Sequence, residues 1–274
     1  MTMIRLEKIT AHPKKKDVYT LEFVSEWKRE CLDVHEDVLV KKRLLKGLEL
    51  TEQEFRELKR VQEANAVYLL AINYLSYRIR TEKEIYDYLE KKEADPSVIT
   101  ETIHRLKTEK LIDDKMFSEM FVRTRKRNSV KGPRLILQEL MQKGVAQADA
   151  EPAIHQYSFS EQYDNAMKFA EQRLKASDKL SNREKHRKIG QGLLQKGFDQ
   201  AVIQTVLKEL PEANTEDAEW EALVKQADKA VRKYQRLEPR ESTYKLKQVL
   251  YRKGFTADLI QRYIDQLDQQ EEDL

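Results

Sequence analysis

The stretch LMQKG at residues 140–144 decides how this chain is read, because it recurs as LLQKG at 193–197 and LYRKG at 250–254. A weaker copy, LEKKE at 89–93, keeps Leu89 and Lys92 but places Glu93 where the others have Gly144, Gly197 and Gly254. Successive leucines are 51, 53 and 57 residues apart. Apolar residues repeat in the same register: Ile85, Ile136, Ile189 and Leu246 before the leucine, then Ile99, Ala150, Ile203 and Ile260 beyond the turn. Ile103, Ile154, Leu207 and Ile264 follow, and then Leu106, Tyr157, Leu210 and Leu267. Of these only Ala150 is small. Spacings of three and four residues on both sides of a glycine predict two short helices joined by a left-handed turn.

Working outward, a longer helix precedes each pair, over about 62–79, 114–128, 160–176 and 216–236. Units of roughly 50 residues with three helices cannot bury a core alone, so they are expected to stack. The fold class predicted is mostly α: tandem three-helix repeats in an elongated curved array, after a small amino-terminal β-containing segment. The expected divisions are 1–62 for that segment with its helices, then repeats at 63–116, 117–162, 163–212 and 213–274.

In the opening segment Ile4, Leu6 and Ile9 suggest one strand and Val18 to Val24 a second, with Pro13 and Lys14 to Lys16 as the turn. Cys31 to Val34 suggests a short third strand. Capping boxes are expected at Thr51 with Glu54, Thr81 with Glu84, and Ser181 with Glu184. Asp95 before Pro96, Asp113 and Asp199 are further expected caps.

Composition agrees with this reading. Charged residues make 36% of the 274, against about 25% in an average domain, while Gly is 7 and Pro 6. So few glycines leave little room for a phosphate-binding loop. One cysteine, Cys31, excludes a disulfide framework or a multi-cysteine metal site. The first residues lack the apolar run of a secretory signal, and no stretch is apolar enough to span a bilayer. A cytoplasmic, non-membrane monomer is expected. The five histidines are scattered, and Glu101 with His104 has no second ligand pair, so neither a metal nor another cofactor is expected. His104 and His155 share a repeat position that suggests a packing edge.

Net charge is only +3, but the cations cluster. Arg123, Arg125, Lys126, Arg127, Lys131 and Arg134 fall in a 12-residue window with no acid. Arg183, Lys185, Arg187 and Lys188 form a second cluster, interrupted only by Glu184. Stacked repeats would align the two in a basic stripe suited to a polyanion or an acidic protein surface. These ten residues are the candidate partner-binding site. No catalytic residue is identified, and a non-enzymatic protein is expected.

The runs LSYRIRTEKEIYDYLEKK (75–92), LIDDKMF (111–117) and KGPRLILQELMQKGV (131–145) resemble the RecX family of regulatory proteins. The opening ITAHPKKKDVYTLEFV and LLKGLEL (44–50) resemble its longer form, which has an extra amino-terminal segment and a further repeat. The family's motif falls here on Arg78, Arg80, Glu84, Leu89, Asp113, Asp114, Phe117, Gly132, Leu140, Lys143 and Gly144. Because of Glu93, the first repeat's turn is expected to close differently. The resemblance implies a non-enzymatic inhibitor of the RecA recombinase. Such a protein lies in the groove of the RecA filament on single-stranded DNA and suppresses strand exchange, ATP hydrolysis and coprotease activity. Read without the resemblance, the residues also fit a sequence-independent nucleic-acid-binding repeat protein, with direct contact to DNA.

Overall fold

The structure is a computed structural model that describes residues 3–175, 180–211 and 214–272. It divides into two compact units, Met1–Phe117 with Lys143–Val145, and Ser118–Gln142 with Ala146–Leu274.

The first unit opens with a four-stranded antiparallel sheet of β1 (Met3–Ala11), β2 (Val18–Val24), β3 (Arg29–His35) and β4 (Glu49–Thr51), in the order β3-β2-β1-β4. β1 and β2 pair from Ala11 with Tyr19 to Arg5 with Val24, and β1 carries a bulge between Leu6 and Lys8. The lysine-rich turn is held by His12, whose Nδ1 accepts from the backbone N–H groups of Lys14 and Lys15 at 3.1 and 3.0 Å. The third strand runs from Arg29, and the three-residue β4 was not anticipated. The short helix α1 (Glu36–Lys41) follows β3, and α2 (Glu52–Ser76) follows β4.

α2 is one 25-residue helix, so the division expected between residues 62 and 63 falls inside it. Its first half buries Phe55 and Leu58 with Leu6, Leu21, Phe23 and Val34 of the sheet. Its second half carries Val67 and Ala71 into a separate core with Ile85, Leu89, Ile99, Ile103 and Leu106 from α3 (Glu82–Glu90) and α4 (Pro96–Thr108). α2 and α3 start with complete capping boxes, at Thr51 with Glu54 and Thr81 with Glu84. Asp95 caps α4 ahead of Pro96.

In the second unit and at its border lie α5 (Asp114–Asn128), α6 (Pro133–Gln142), α7 (Gln147–His155), α8 (Phe159–Lys175), α9 (Asn182–Gln195) and α10 (Gln200–Glu209), then α11 (Glu216–Tyr234), α12 (Pro239–Arg252) and α13 (Ala257–Glu272). Phe169, Ile189, Leu193, Phe198 and Val206 form the core of α8–α10. Leu223, Leu246, Leu250, Phe255 and Ile264 form that of α11–α13. Most of the registered apolar residues are thus core, with Ile154, Leu207 and Leu267 only partly buried, and even Ala150 is fully buried.

The Lys-Gly turns have a second role. Gly144, Gly197 and Gly254 have φ of +85°, +82° and +89°, as a left-handed helix end requires. Within the first unit, the Thr81 hydroxyl donates to the carbonyl of Lys143 at 2.7 Å. Within the second, the N–H of Gly132 donates to Lys196 O at 2.8 Å, and the Ser181 hydroxyl to Lys253 O at 2.5 Å. Each turn therefore meets the start of a helix from the preceding repeat. A Cβ on Gly144 would lie 2.4 Å from Lys83 Cβ, and one on Gly197 would lie 2.5 Å from the backbone nitrogen of Leu135. Glu93 also closes its turn left-handed, at φ +60°, so the first copy closes like the others. Glu93 is exposed, so a side chain is tolerated there.

Candidate functional site

The ten predicted contact residues divide by their surroundings. Arg123 and Arg127 on α5 and Arg183 on α9 are exposed and have no carboxylate partner among the described residues. Six others are paired with acids that lie outside the windows or on the same helix. Arg125 Nε donates to Glu139 at 2.8 Å, and Lys131 binds the same carboxylate. Lys126 reaches Glu161 at 2.7 Å, and Arg134 reaches Asp199 at 3.2 Å. Arg187 holds Glu184 at 2.7 Å, and Lys188 approaches it at 3.9 Å.

Lys185 is a correction: it is 4% exposed, and its ammonium donates to Asn214 Oδ1 at 2.6 Å, so it presents no surface charge. The aligned stripe also needs revision. The first cluster straddles the end of α5 and the start of α6, while the second lies wholly within α9. Counted back from Leu140 and Leu193, Arg187 alone of the second cluster falls on a cation of the first, Arg134.

The paired acids show the field of these cations. Burial works to raise the Glu139 carboxyl, but the bond from Lys131 and the charge of Arg125 outweigh it and hold it below 4.5. The bond from Lys126 lowers Glu161, and that from Arg187 lowers Glu184. Ser181 still caps α9 by accepting from Glu184 N–H, but the Glu184 side chain turns to Arg187 and does not complete the box.

Most of the family-motif positions lie in the first unit, where several gather at a joint, while Gly132 and Leu140 lie in the second. Arg78 meets both oxygens of Glu84 at 3.1 and 3.2 Å, and Lys143 meets it at 2.7 Å. Burial opposes ionisation of Glu84, but these two cations prevail and lower it. Asp114 Oδ1 accepts from Glu82 N–H at 3.0 Å, and Arg80 lies 4.0 Å above the Tyr74 ring. Asp113 caps α5 through bonds from Lys115 and Met116 N–H groups. Asp199 precedes α10 without a side-chain cap bond, its carboxylate being taken by Arg134. His104 and His155 are exposed and form no packing edge.

This arrangement defines a tandem three-helix repeat protein carrying an amino-terminal sheet, with cations distributed over its helices. Comparison with known proteins gives the class a name. The description "RecX, first three-helix domain" matches residues 68–106, the second domain matches 113–154, and the third matches twice, at 160–207 and 217–264. The chain belongs to the RecX family. It is 40% identical to regulatory protein RecX of Oceanobacillus iheyensis over 98% of this chain and 100% of that one. It is 38% identical to that of Enterococcus faecalis over 94% of this chain and 96% of its relative. A crystal structure of regulatory protein RecX superposes with a TM-score of 0.66 at 30% identity, covering 75% of this chain and all of the other. That of RecX from Lactobacillus salivarius gives 0.53 at 37% identity, covering 55% and 97%.

Proposed function

We propose that this protein is a non-enzymatic inhibitor of the RecA recombinase that binds the RecA filament on single-stranded DNA and suppresses its ATP hydrolysis, strand exchange and coprotease activity. The observation that carries this reading is the family match, which covers all four three-helix units. The structure supports it with cations that can change partners. Arg123, Arg127 and Arg183 are available as they stand. Arg134, Arg187 and Lys188 keep more than half of their side chains exposed in their ion pairs, and such surface cations cost little to exchange for a phosphate or an acidic side chain, whereas Arg125, Lys126 and Lys131 are more deeply held. No described helix is long and apolar enough to cross a membrane. The test is RecA-catalysed ATP hydrolysis on single-stranded DNA, titrated with this protein. Hydrolysis should fall as protein is added. A chain that binds neither RecA nor its filament would remove the reading.

A further inference from the structure

β3 is an open edge of the amino-terminal sheet. The order β3-β2-β1-β4 leaves one side of it without a strand, and it runs for seven residues without a proline, whereas β4 at the opposite edge has three residues. The N–H of Ser25 donates to Lys28 O across the β2–β3 turn. In the alternation that follows, Glu30, Leu32 and Val34 bond to β2, while Arg29, Cys31 and Asp33 turn their N–H and C=O groups outward, where no described group takes them. At the next outward position the Gln62 side chain accepts from His35 N–H at 3.1 Å, which agrees with this alternation and ends the open stretch. Val34 is buried in the core, so the side chains of Arg29, Cys31 and Asp33 lie on the opposite face of the sheet.

An open edge is a template for another strand. The charges on this one fit a second copy of itself. In an antiparallel pair of β3 strands with Cys31 opposite Cys31, Arg29 of each copy faces Asp33 of the other, and the three outward residues exchange their backbone bonds. Centred one residue later, on Leu32, the pair sets Arg29 against His35, whose N–H is already taken. Centred one residue earlier, on Glu30, it sets Asp33 against Trp27 in the turn. Of the three registers the one centred on Cys31 matches opposite charges, and it does so twice. Arg29 keeps 66% of its side chain exposed and stands 3.6 Å from Glu7, so it is free to turn to a new partner. The same register brings Trp27 of each copy opposite His35 of the other. Trp27 is 87% exposed, an unusual state for a tryptophan.

We propose that this protein pairs with a second copy of itself through β3, the two four-stranded sheets joining into one about a two-fold axis at Cys31. The same patch serves both copies, so the contact closes as a dimer and does not propagate. The inference goes beyond the proposed function and replaces the monomer expected from the sequence.

The test is sedimentation velocity of the full chain over a range of concentrations, without RecA or nucleic acid. Wild type should pass from monomer to dimer as concentration rises. R29D sets acid opposite acid and D33R sets arginine opposite arginine, so each alone should self-associate more weakly by about tenfold or more. An equal mixture of the two restores both opposite-charge pairs between unlike chains and should dimerise as wild type does. Asp33 also accepts from Thr20 and meets Lys15, so a second measurement leaves the strand unaltered. A short bismaleimide should cross-link wild type through Cys31, the one cysteine of the chain, because bonded residues in such a pair stand about 5.5 Å apart at Cα. Wild type that stays monomeric at its highest soluble concentration, or that the reagent fails to cross-link, would overturn the pairing. Single variants that dimerise like wild type would overturn it too, by placing the contact elsewhere, as would folded variants whose mixture stays monomeric.

Discussion

The hydroxyl of Thr81 donates to the backbone carbonyl of Lys143 across 2.7 Å, joining the start of α3 to a Lys-Gly turn 62 residues further on. Ser181 makes the same bond to Lys253, and Gly132 makes it to Lys196 with its backbone N–H. Two of the positions that mark the family, Gly132 and Lys143, thus take part in the joints between repeats.

Thr81 is fully buried and also caps α3, so Thr81→Ala removes two interactions at once. It should destabilise the protein by about 1–3 kcal/mol, combining a lost cap with a part-buried carbonyl left unpaired. Thr81→Ser should restore most of this. Urea unfolding of the two variants checks it, and an alanine variant as stable as wild type would contradict the joint.

Glycine and glutamate at equivalent turns should respond in opposite ways. Gly197→Ala places a Cβ 2.5 Å from the Leu135 nitrogen, a backbone atom that cannot swing away. The loss should exceed the ~1 kcal/mol expected of a strained turn without such a contact. Glu93→Gly relieves a left-handed non-glycine residue, which costs about 1 kcal/mol, and should leave stability unchanged or raised. Thermal melts of both variants measure the contrast.

Acid should loosen the joint at Glu84. Its carboxyl is held below 4.5 in the folded chain, where burial is outweighed by Lys143 and Arg78. Below that pH the unfolded chain takes up a proton that the folded chain resists, so acid favours unfolding. The contribution is complete above pH 4.5 and is lost as the pH falls through the lower folded value. Melting temperature followed from pH 7 to 3 should drop, and Glu84→Gln should flatten that part of the curve.

Much of the fold was legible because its signals are local. A leucine at fixed distance from a glycine marks a helix end, and Ile136, Leu140 and Leu193 proved fully buried. The amino-terminal strands showed in β-branched and aromatic runs, but β4 is three residues long and has no pattern of its own. The ten-residue site was less legible, because charge pairing is a matter of tertiary distance. Glu139 lies 14 residues from Arg125, and Glu161 lies 35 from Lys126. Lys185 looked like a surface lysine because its partner, Asn214, is 29 residues away.

The central claim is inhibition of RecA, and RecA ATP hydrolysis on single-stranded DNA tests it most directly when wild type is compared with R123A/R127A/R183A. These three exposed arginines have no ion-pair partner among the described residues, and each substitution should change stability by no more than about 0.5 kcal/mol. The account predicts that wild type suppresses hydrolysis and that the folded triple variant needs a higher concentration to do so, with a weaker dependence on salt. Hydrolysis that continues unchanged in the presence of saturating wild-type protein would contradict it.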